Sequence, residues 1–351
     1  MSDAPIGWVN AHTHMYSGLA PFDIPPIEPA PDSFLDILRG RWWRMDRALS
    51  ASSLRTAARW YIGDALLRGT TGLIDHHESP DCIDGSLDVL ADACQELGMP
   101  ALLCYGASER NGGLEEGRRG LNECRRFLES NERNLVRGFV GLHASFTVSD
   151  TLLREAGELA REFKTGVHVH VAEDTCDLDD ARQRGYASPL QRMLSLDALP
   201  DGSILAHGVH LTEDDIELAC DRDLSFVQNP RSNVGNAVGY PRLLGRLPHV
   251  ALGTDGWPSD RVEETSALVI ESAKHDDDPG QVAHREQGGH GLLARAFEGD
   301  QPTVVQGLGS LVVDDRIIVD EGSLQTADFE SLRRDAERDA QVLWTRMKEL
   351  A

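Results

Sequence analysis

Two histidines two residues apart, His12 and His14, end a short apolar run near the start of the chain, Gly7-Trp8-Val9. Alternation along a strand has period two, so both imidazoles point the same way and are set to share one metal ion. An isolated pair of this kind is more often two surface histidines at a strand end. The other chemistry-bearing residues change that balance. Further apolar runs end in His143, in His168-Val169-His170 with Glu173 three residues on, in His207, and in Asp255. A core histidine satisfied by a backbone partner explains any one of these, but not five strands with such chemistry at their C-terminal ends. Three imidazoles and a carboxylate suit Zn²⁺ or Fe²⁺ and leave a position for water. Such a metal brings the pKa of that water toward about 7, so hydroxide is available at neutral pH. A carboxylate near the metal then accepts the water's proton, and a protonatable Glu delivers one to a leaving amine.

The elements that must position these residues are eight apolar runs: Gly7–Ala11, Gly72–Asp75, Pro100–Tyr105, Gly138–His143, Gly166–Val171, Ser203–His207, Ser225–Asn229 and His249–Thr254. Helical patterns alternate with them over Ser53–Arg68, Gly85–Leu97, Gly113–Glu129, Ser149–Phe163, Thr212–Cys220, Val262–Ala273 and His290–Phe297. Thr212 followed by Glu213, Asp214 and Asp215 reads as an N-cap with acids in the first turn. The alternation predicts an α/β protein with a parallel sheet, and eight strands close a (β/α)8 TIM-type barrel whose strand C-termini gather the active site. An open doubly wound sheet is the rival, but no glycine-rich phosphate loop follows the first strand.

Two regions break the pattern. Residues 15–50 hold five prolines before Arg39-Gly40-Arg41-Trp42-Trp43, and predict a long irregular lid or substrate loop over the first strand's end. Ser310–Asp320 predicts a hairpin turning at Asp314-Asp315, and Asp328–Leu350 a closing polar helix. The expected division is therefore a barrel over 1–300 and an accessory segment over 301–351.

The formal charge of −24, from 58 acidic against 34 basic residues, argues against nucleic acid and anionic membrane surfaces as partners. No run approaches the roughly 18 apolar residues that span a bilayer. The N-terminus shows neither a basic segment nor an apolar signal core, so the expected location is cytoplasmic. The six cysteines are scattered with no CxxC pair and read as reduced thiols.

His12-Thr13-His14, His170-Val171-Ala172-Glu173, Ala206-His207 and Gly253-Thr254-Asp255-Gly256 together resemble the amidohydrolase superfamily, in its deaminase and chlorohydrolase branch, over roughly residues 7–300. The stretches Met15–Leu19, Trp42–Leu49, Asp75–Pro80, His143–Val148 and Arg231–Asn233 look most like the SsnA-type aminohydrolases. The resemblance implies that His12, His14, His170 and Asp255 hold one divalent metal, zinc first and iron second. It further implies that Glu173 is the proton shuttle, that His207 holds and polarises the attacking hydroxide, and that Asp255 also accepts the water's proton. Binuclear relatives use a carbamylated lysine on the fourth strand, and Arg137–His143 contains none, which favours a single metal. His143, His77, Asn233 and Trp43 are the expected substrate contacts, the indole as a surface on which a planar ring stacks. His168 is left as structural.

The implied reaction is deamination of a small planar N-heterocycle, purine-, pterin- or pyrimidine-like, with a link to purine catabolism. The same machinery also serves dechlorination or hydrolysis of a cyclic amide C–N bond. A non-catalytic metal-binding homologue is the reading from another class. One departure stands out. Relatives carry about 50–70 residues before the first strand, the size of a small β-domain, which pair with C-terminal strands in a composite β-sandwich. Here that sandwich is expected to be missing or strongly reduced, and a second subunit, in a homodimer, to cover the exposed side.

Overall fold

The computed structural model describes residues 7–350. All eight expected strands form: β1 (Trp8–Thr13), β2 (Thr70–His77), β3 (Ala101–Ala107), β4 and β5 (Val136–Gly138 and Val140–Ala144), β6 (Val167–Val171), β7 (Ile204–His207), β8 (Ser225–Gln228) and β9 (Val250–Leu252). The fourth run is one strand interrupted at Phe139, so nine segments make eight staves. They pair in parallel in the order β1-β2-β3-β5-β6-β7-β8-β9, with β4 beside β3. The seam between the last strand and the first closes at the C-terminal end, where Thr13 bridges Asp255 and the Thr254 and Asp255 amides both donate to the His12 carbonyl. The result is a nearly closed TIM-type barrel.

Polar side chains hold that seam. Asn10 donates from Nδ2 to Thr254 Oγ1 at 2.7 Å and accepts the Thr254 amide at Oδ1. The Thr254 amide is thus shared between the His12 carbonyl and the Asn10 side chain. Gly253 lies in the same place: a Cβ there would sit 2.7 Å from Asn229 Oδ1 and 2.8 Å from the His12 backbone. Gly253→Ala is therefore expected to lower stability by about 1–3 kcal/mol through overpacking, read as a fall in denaturation midpoint. A variant that unfolds with the wild type would show that the seam yields freely.

Helices flank the staves where the sequence places them, within a residue or two at their ends: Ala51–Leu67, Ser86–Leu97, Gly113–Ser130, Asp150–Glu162, Glu213–Cys220, Arg261–Lys274 and Gly288–Ala296. Thr212 caps its helix with a full capping box to Asp215. The main apolar core lies between staves and helices. A second cluster fills the barrel floor, where Val9, Ile74, Leu102, Phe139, Ile204 and Val227 meet Leu292, Leu293 and Phe297 from the helix Gly288–Ala296. The chemistry therefore sits at the opposite, C-terminal end.

One expectation needs correction and another is extended. The segment 15–50 is not an irregular loop throughout. It forms a short 3-10 helix at Met15–Leu19, then helical turns over Phe34–Ile37, Leu38–Trp42 and Trp43–Ala48, because its apolar residues Phe34, Leu38 and Met45 are buried beneath it. The hairpin is the centre of a larger sheet of four antiparallel strands, β10 to β13 (Val304–Gly307, Ser310–Val313, Arg316–Asp320, Ser323–Leu324). Its turn residues Asp314 and Asp315 both take positive φ, the conformation of a two-residue hairpin turn. The closing helix, Phe329–Glu349, is capped by Asp328 and buries Ala336, Ala340, Leu343, Trp344 and Met347 in the main core. Trp344 donates to the Phe22 carbonyl at 2.7 Å, and Arg44 donates to the carbonyls of Met347 and Leu350. The helix thus braces the base of the segment 15–50. Among the described residues no helix is long and apolar enough to cross a membrane. Cys94, Cys104 and Cys124 are buried thiols, while Cys220 is exposed.

Candidate active site

The ends of β1, β6, β7 and β9 converge at the closed seam. His12, His14, His170 and Asp255 each present one donor atom, all within 4.8 Å of one another. The orientation of each imidazole follows from its second nitrogen. His14 donates Nδ1–H to the His76 carbonyl, and His170 donates Nδ1–H to the His143 carbonyl at 2.6 Å. In both rings the Nε2 lone pair then faces inward, where the two Nε2 atoms lie 3.3 Å apart. His12 Nδ1 lies 2.9 Å from His168 Nε2, which gives His168 the partner that sequence alone does not show. His12 Nε2 is buried with no hydrogen-bond partner, 3.3 Å from Asp255 Oδ1. His14 Nε2 lies 2.8 Å from the same oxygen. A buried nitrogen without a partner, two more inward lone pairs and a shared carboxylate fit a divalent cation bound by nitrogen and oxygen.

The electrostatics agree with that fit. Burial pushes His12 down to about 3, and burial with neighbouring imidazoles holds His170 well below the usual histidine range. Both imidazoles are thereby held in the neutral form, the form a metal ligand needs. Burial also works against charge on His14, yet Glu78 and Asp255 overcome it and raise His14 to about 10. The field that would hold a proton on His14 is the field that would hold a cation in its place.

A second group shares Asp255. Glu173, His207 and Asp255 also bring donor atoms within 4.8 Å, with His207 Nε2 lying 3.5 Å from Glu173 Oε2. Burial pushes the Glu173 carboxyl well above its usual range, and the charge of Asp255 adds to the effect. Burial opposes ionisation of Asp255 too, but the imidazoles of His12 and His14 hold its carboxyl well below the usual range. Two adjacent carboxyls driven apart in this way are suited to opposite roles, one holding a proton and one accepting it. Ala172, His207 and Asp255 all have positive φ, at 51°, 75° and 54°. For residues other than glycine this is strained, and it turns the strand ends sharply into the site.

Asn233 and His77 are not among the residues lining the cavity. Asn233 stands behind His207, accepting Nδ1–H at Oδ1 over 3.0 Å, which fixes the tautomer that leaves Nε2 as an acceptor. Asn233→Ala is expected to reduce kcat about 10- to 100-fold with metal content unchanged, the usual effect of losing an orienting partner. Unchanged kcat would mean that His207 needs no orientation. His77 is buried against Tyr16 and Tyr105, with Nε2 2.8 Å from Ser79 Oγ. His143 and Trp43 do line the cavity, their rings edge to face at 6.1 Å. Around them are Tyr16, Phe34, Leu38, Trp42, Asp46, Glu78, Phe146 and Asn236.

Several of these carried no separate signal in the sequence. Glu78 is buried, 2.8 Å from His76 Nδ1 and 3.5 Å from His14 Nδ1. Its presence in the run Asp75-His76-His77-Glu78 beside a predicted strand end was the only hint. Asn236 donates to Glu173 at 3.5 Å, and Ser232 donates to Asp255 Oδ2. Both come from the turn of helix Pro230–Gly235, which the sequence analysis did not identify.

A parallel barrel with imidazoles and a carboxylate gathered at its C-terminal mouth is the architecture of a metal-binding hydrolase scaffold. The Amidohydrolase family model matches residues 6–280, and the chain belongs to that family. It is 28% identical over 259 residues to 5-methylthioadenosine/S-adenosylhomocysteine deaminase of Thermoanaerobacter pseudethanolicus, covering 71% of this chain and 56% of that protein. It is also 28% identical over 281 residues to 5'-deoxyadenosine deaminase of Methanopyrus kandleri, covering 75% of this chain and 60% of that one. The aligned part thus spans somewhat over half the length of these curated relatives. Among solved structures, an adenosine deaminase from Xanthomonas campestris with bound zinc superposes with a TM-score of 0.79 at 21% identity, covering 98% of this chain and 85% of that one. Atrazine chlorohydrolase from Arthrobacter aurescens, complexed with zinc, superposes at 0.73 and 18% identity, covering 96% and 87%. At these identities the structural likeness establishes the barrel.

Proposed function

We propose that this chain is a mononuclear metal-dependent hydrolase that deaminates a small planar N-heterocycle. One observation carries the reading: Asp255 belongs both to the four-donor cluster with His12, His14 and His170 and to the proton-transfer group with Glu173 and His207. Metal and proton chemistry therefore meet at one carboxylate. The 28% identity to proteins named as deaminases supports the choice of leaving group.

His12, His14, His170 and Asp255 would hold one divalent ion, zinc before iron, which supplies Lewis acidity and makes hydroxide available near neutral pH. Asp255, ionised, accepts the proton of the attacking water through its carboxylate. His207 orients that water with its free Nε2. Glu173, its carboxyl raised well above the usual range, would give its proton to the ring nitrogen. The proton that Asp255 takes from the water would go to the departing amine, and the hydroxyl proton of the adduct would restore the Glu173 acid, so that ammonia leaves as a neutral molecule. Trp42, Trp43, Phe34, Leu38 and Phe146 exclude bulk water and flank the ring. The cavity beneath them, about 50 Å³, has space for a few waters.

The proposal treats residues 1–300 as the catalytic barrel, with 15–50 as its lid, and 301–351 as an accessory sheet and brace. It places the protein in the cytoplasm as a homodimer serving purine catabolism. A monomer at micromolar concentration by light scattering would count against the dimer. The direct test is elemental analysis beside an ammonia-release screen of purines, pterins, pyrimidines and triazines. About one zinc or iron per chain with ammonia from one class is the expected result. One metal without ammonia would redirect the assay to chloride release and ring opening. No metal after careful preparation would favour a non-catalytic homologue and overturn the proposal.

A further inference from the structure

The cavity wall also contains a carboxylate that neither the family match nor the proposed chemistry uses. Asp46 lies on the lid helix Trp43–Ala48 and is 1% exposed, yet it lines the cavity. Its Oδ2 accepts from Arg110 Nη2 at 2.7 Å. Its Oδ1 is buried with no hydrogen-bond partner. Arg110 is itself buried, donates from Nε to Ser108, and lies over the Trp43 ring at 5.0 Å. The ion pair therefore locks the carboxylate and the indole in one rigid unit, with one oxygen held and the other free. Burial pushes the Asp46 carboxyl up to about 6 against the pull of Arg110, so near neutral pH it is mostly ionised and acts as an acceptor.

A buried carboxylate oxygen left unpaired is costly, and the cost is removed when a donor arrives. Among the described residues no lysine or arginine lines the cavity, whereas Asp46, Glu78, Glu173 and Asp255 all do. A ring rich in N–H groups would meet acceptors.

We propose that Asp46 Oδ1 is a specificity-determining acceptor that reads a second N–H donor on the substrate, on the edge remote from the reacting carbon, beside the indole of Trp43. The substrate class is then a neutral or cationic polyamino heterocycle that bears at least one amino group besides the one released. This deepens the deamination reading and rests on it for the position of the reacting carbon.

The test uses two matched pairs of probes, 2,6-diaminopurine against adenine and melamine against 2-amino-1,3,5-triazine. In each pair only the first carries an amino group beyond the reacting one. Binding is measured by calorimetry on metal-loaded Glu173→Gln protein, so the readout does not depend on turnover. The first member of at least one pair is expected to bind about tenfold or more tightly than the second. Asp46→Asn, which keeps the side-chain volume, is expected to remove most of that ratio. Asp46→Ala leaves Arg110 without its partner and serves as a second variant if it folds. A merely structural role for Asp46 would shift both members of a pair alike.

An unchanged ratio in Asp46→Asn, no preference in the parent protein, or no binding of either 2,6-diaminopurine or melamine would each overturn the assignment. Ammonia release by the wild type with an Asp46-independent ratio would leave the deaminase reading intact and remove only this one. An Asp46-dependent ratio with no ammonia from the wild type would do the reverse.

Discussion

Replacing Glu173 by glutamine is expected to lower turnover by about 10²- to 10⁴-fold while leaving the metal in place. The size follows from the role: a positioned general acid spares the ring nitrogen from becoming an unprotonated anion, and glutamine has the same shape with no proton to transfer. Metal retention follows from the geometry, because the four-donor cluster is His12, His14, His170 and Asp255, and Glu173 reaches it only through Asp255 and His207. The pH profile is a second readout. Burial and Asp255 raise the Glu173 carboxyl well above its usual range, so the acid form is present below that raised value and is lost as pH rises through it. The wild-type kcat/KM should accordingly fall on the alkaline side. Turnover near the wild-type level in Glu173→Gln would remove Glu173 from the proton pathway.

His170→Ala is expected to lose the metal itself. Its Nε2 faces inward because Nδ1 is tied to the His143 carbonyl, so alanine deletes one of the four donors of the cluster. Affinity should fall by more than the roughly 10- to 100-fold that loss of an orienting partner costs. Elemental analysis after dialysis should find the variant depleted where the wild type keeps about one ion per chain. The stabilisation that added zinc gives the wild type in a thermal melt should shrink with it, since binding to the folded state alone raises the melting point. Wild-type metal content in His170→Ala would mean that the cluster holds its ion through other donors.

The two substitutions separate the functions that Asp255 joins. Glu173→Gln should give a protein with metal and without chemistry, and His170→Ala one without either. If both lost the metal, Glu173 would belong to the binding cluster rather than to the proton pathway.

Much of this was legible in the sequence because it depends on local rules. Strand and helix alternate with periods of 2 and 3.6 residues, and turn and cap residues mark the boundaries. All eight strand runs and the hairpin around Asp314-Asp315 could be placed that way, with His12, His14, His170, His207 and Asp255 at or just beyond strand ends. Even there the period was imperfect. The register of β1 slips between Asn10 and Thr13, so Ala11 packs with the barrel floor while His12 still reaches the imidazole cluster.

What lay beyond the sequence is which side of a strand end or a lid each side chain takes, since that is set by curvature, bulges and chain crossings between residues far apart. His76 and His77 are neighbours, yet His76 turns in among the clustered imidazoles and His77 turns out against two tyrosines. Asn233 has the right chemistry for a substrate but is occupied by His207. Asp46 and Arg110 are 64 residues apart and meet only because the segment carrying Asp46 packs beside the end of β3. Residue types and local periodicity thus determined the scaffold and which strand ends carry histidine and carboxylate, because strands and helices are specified within a few residues. The tertiary structure decided the pairings, because a buried polar group is positioned by whichever distant partner satisfies it.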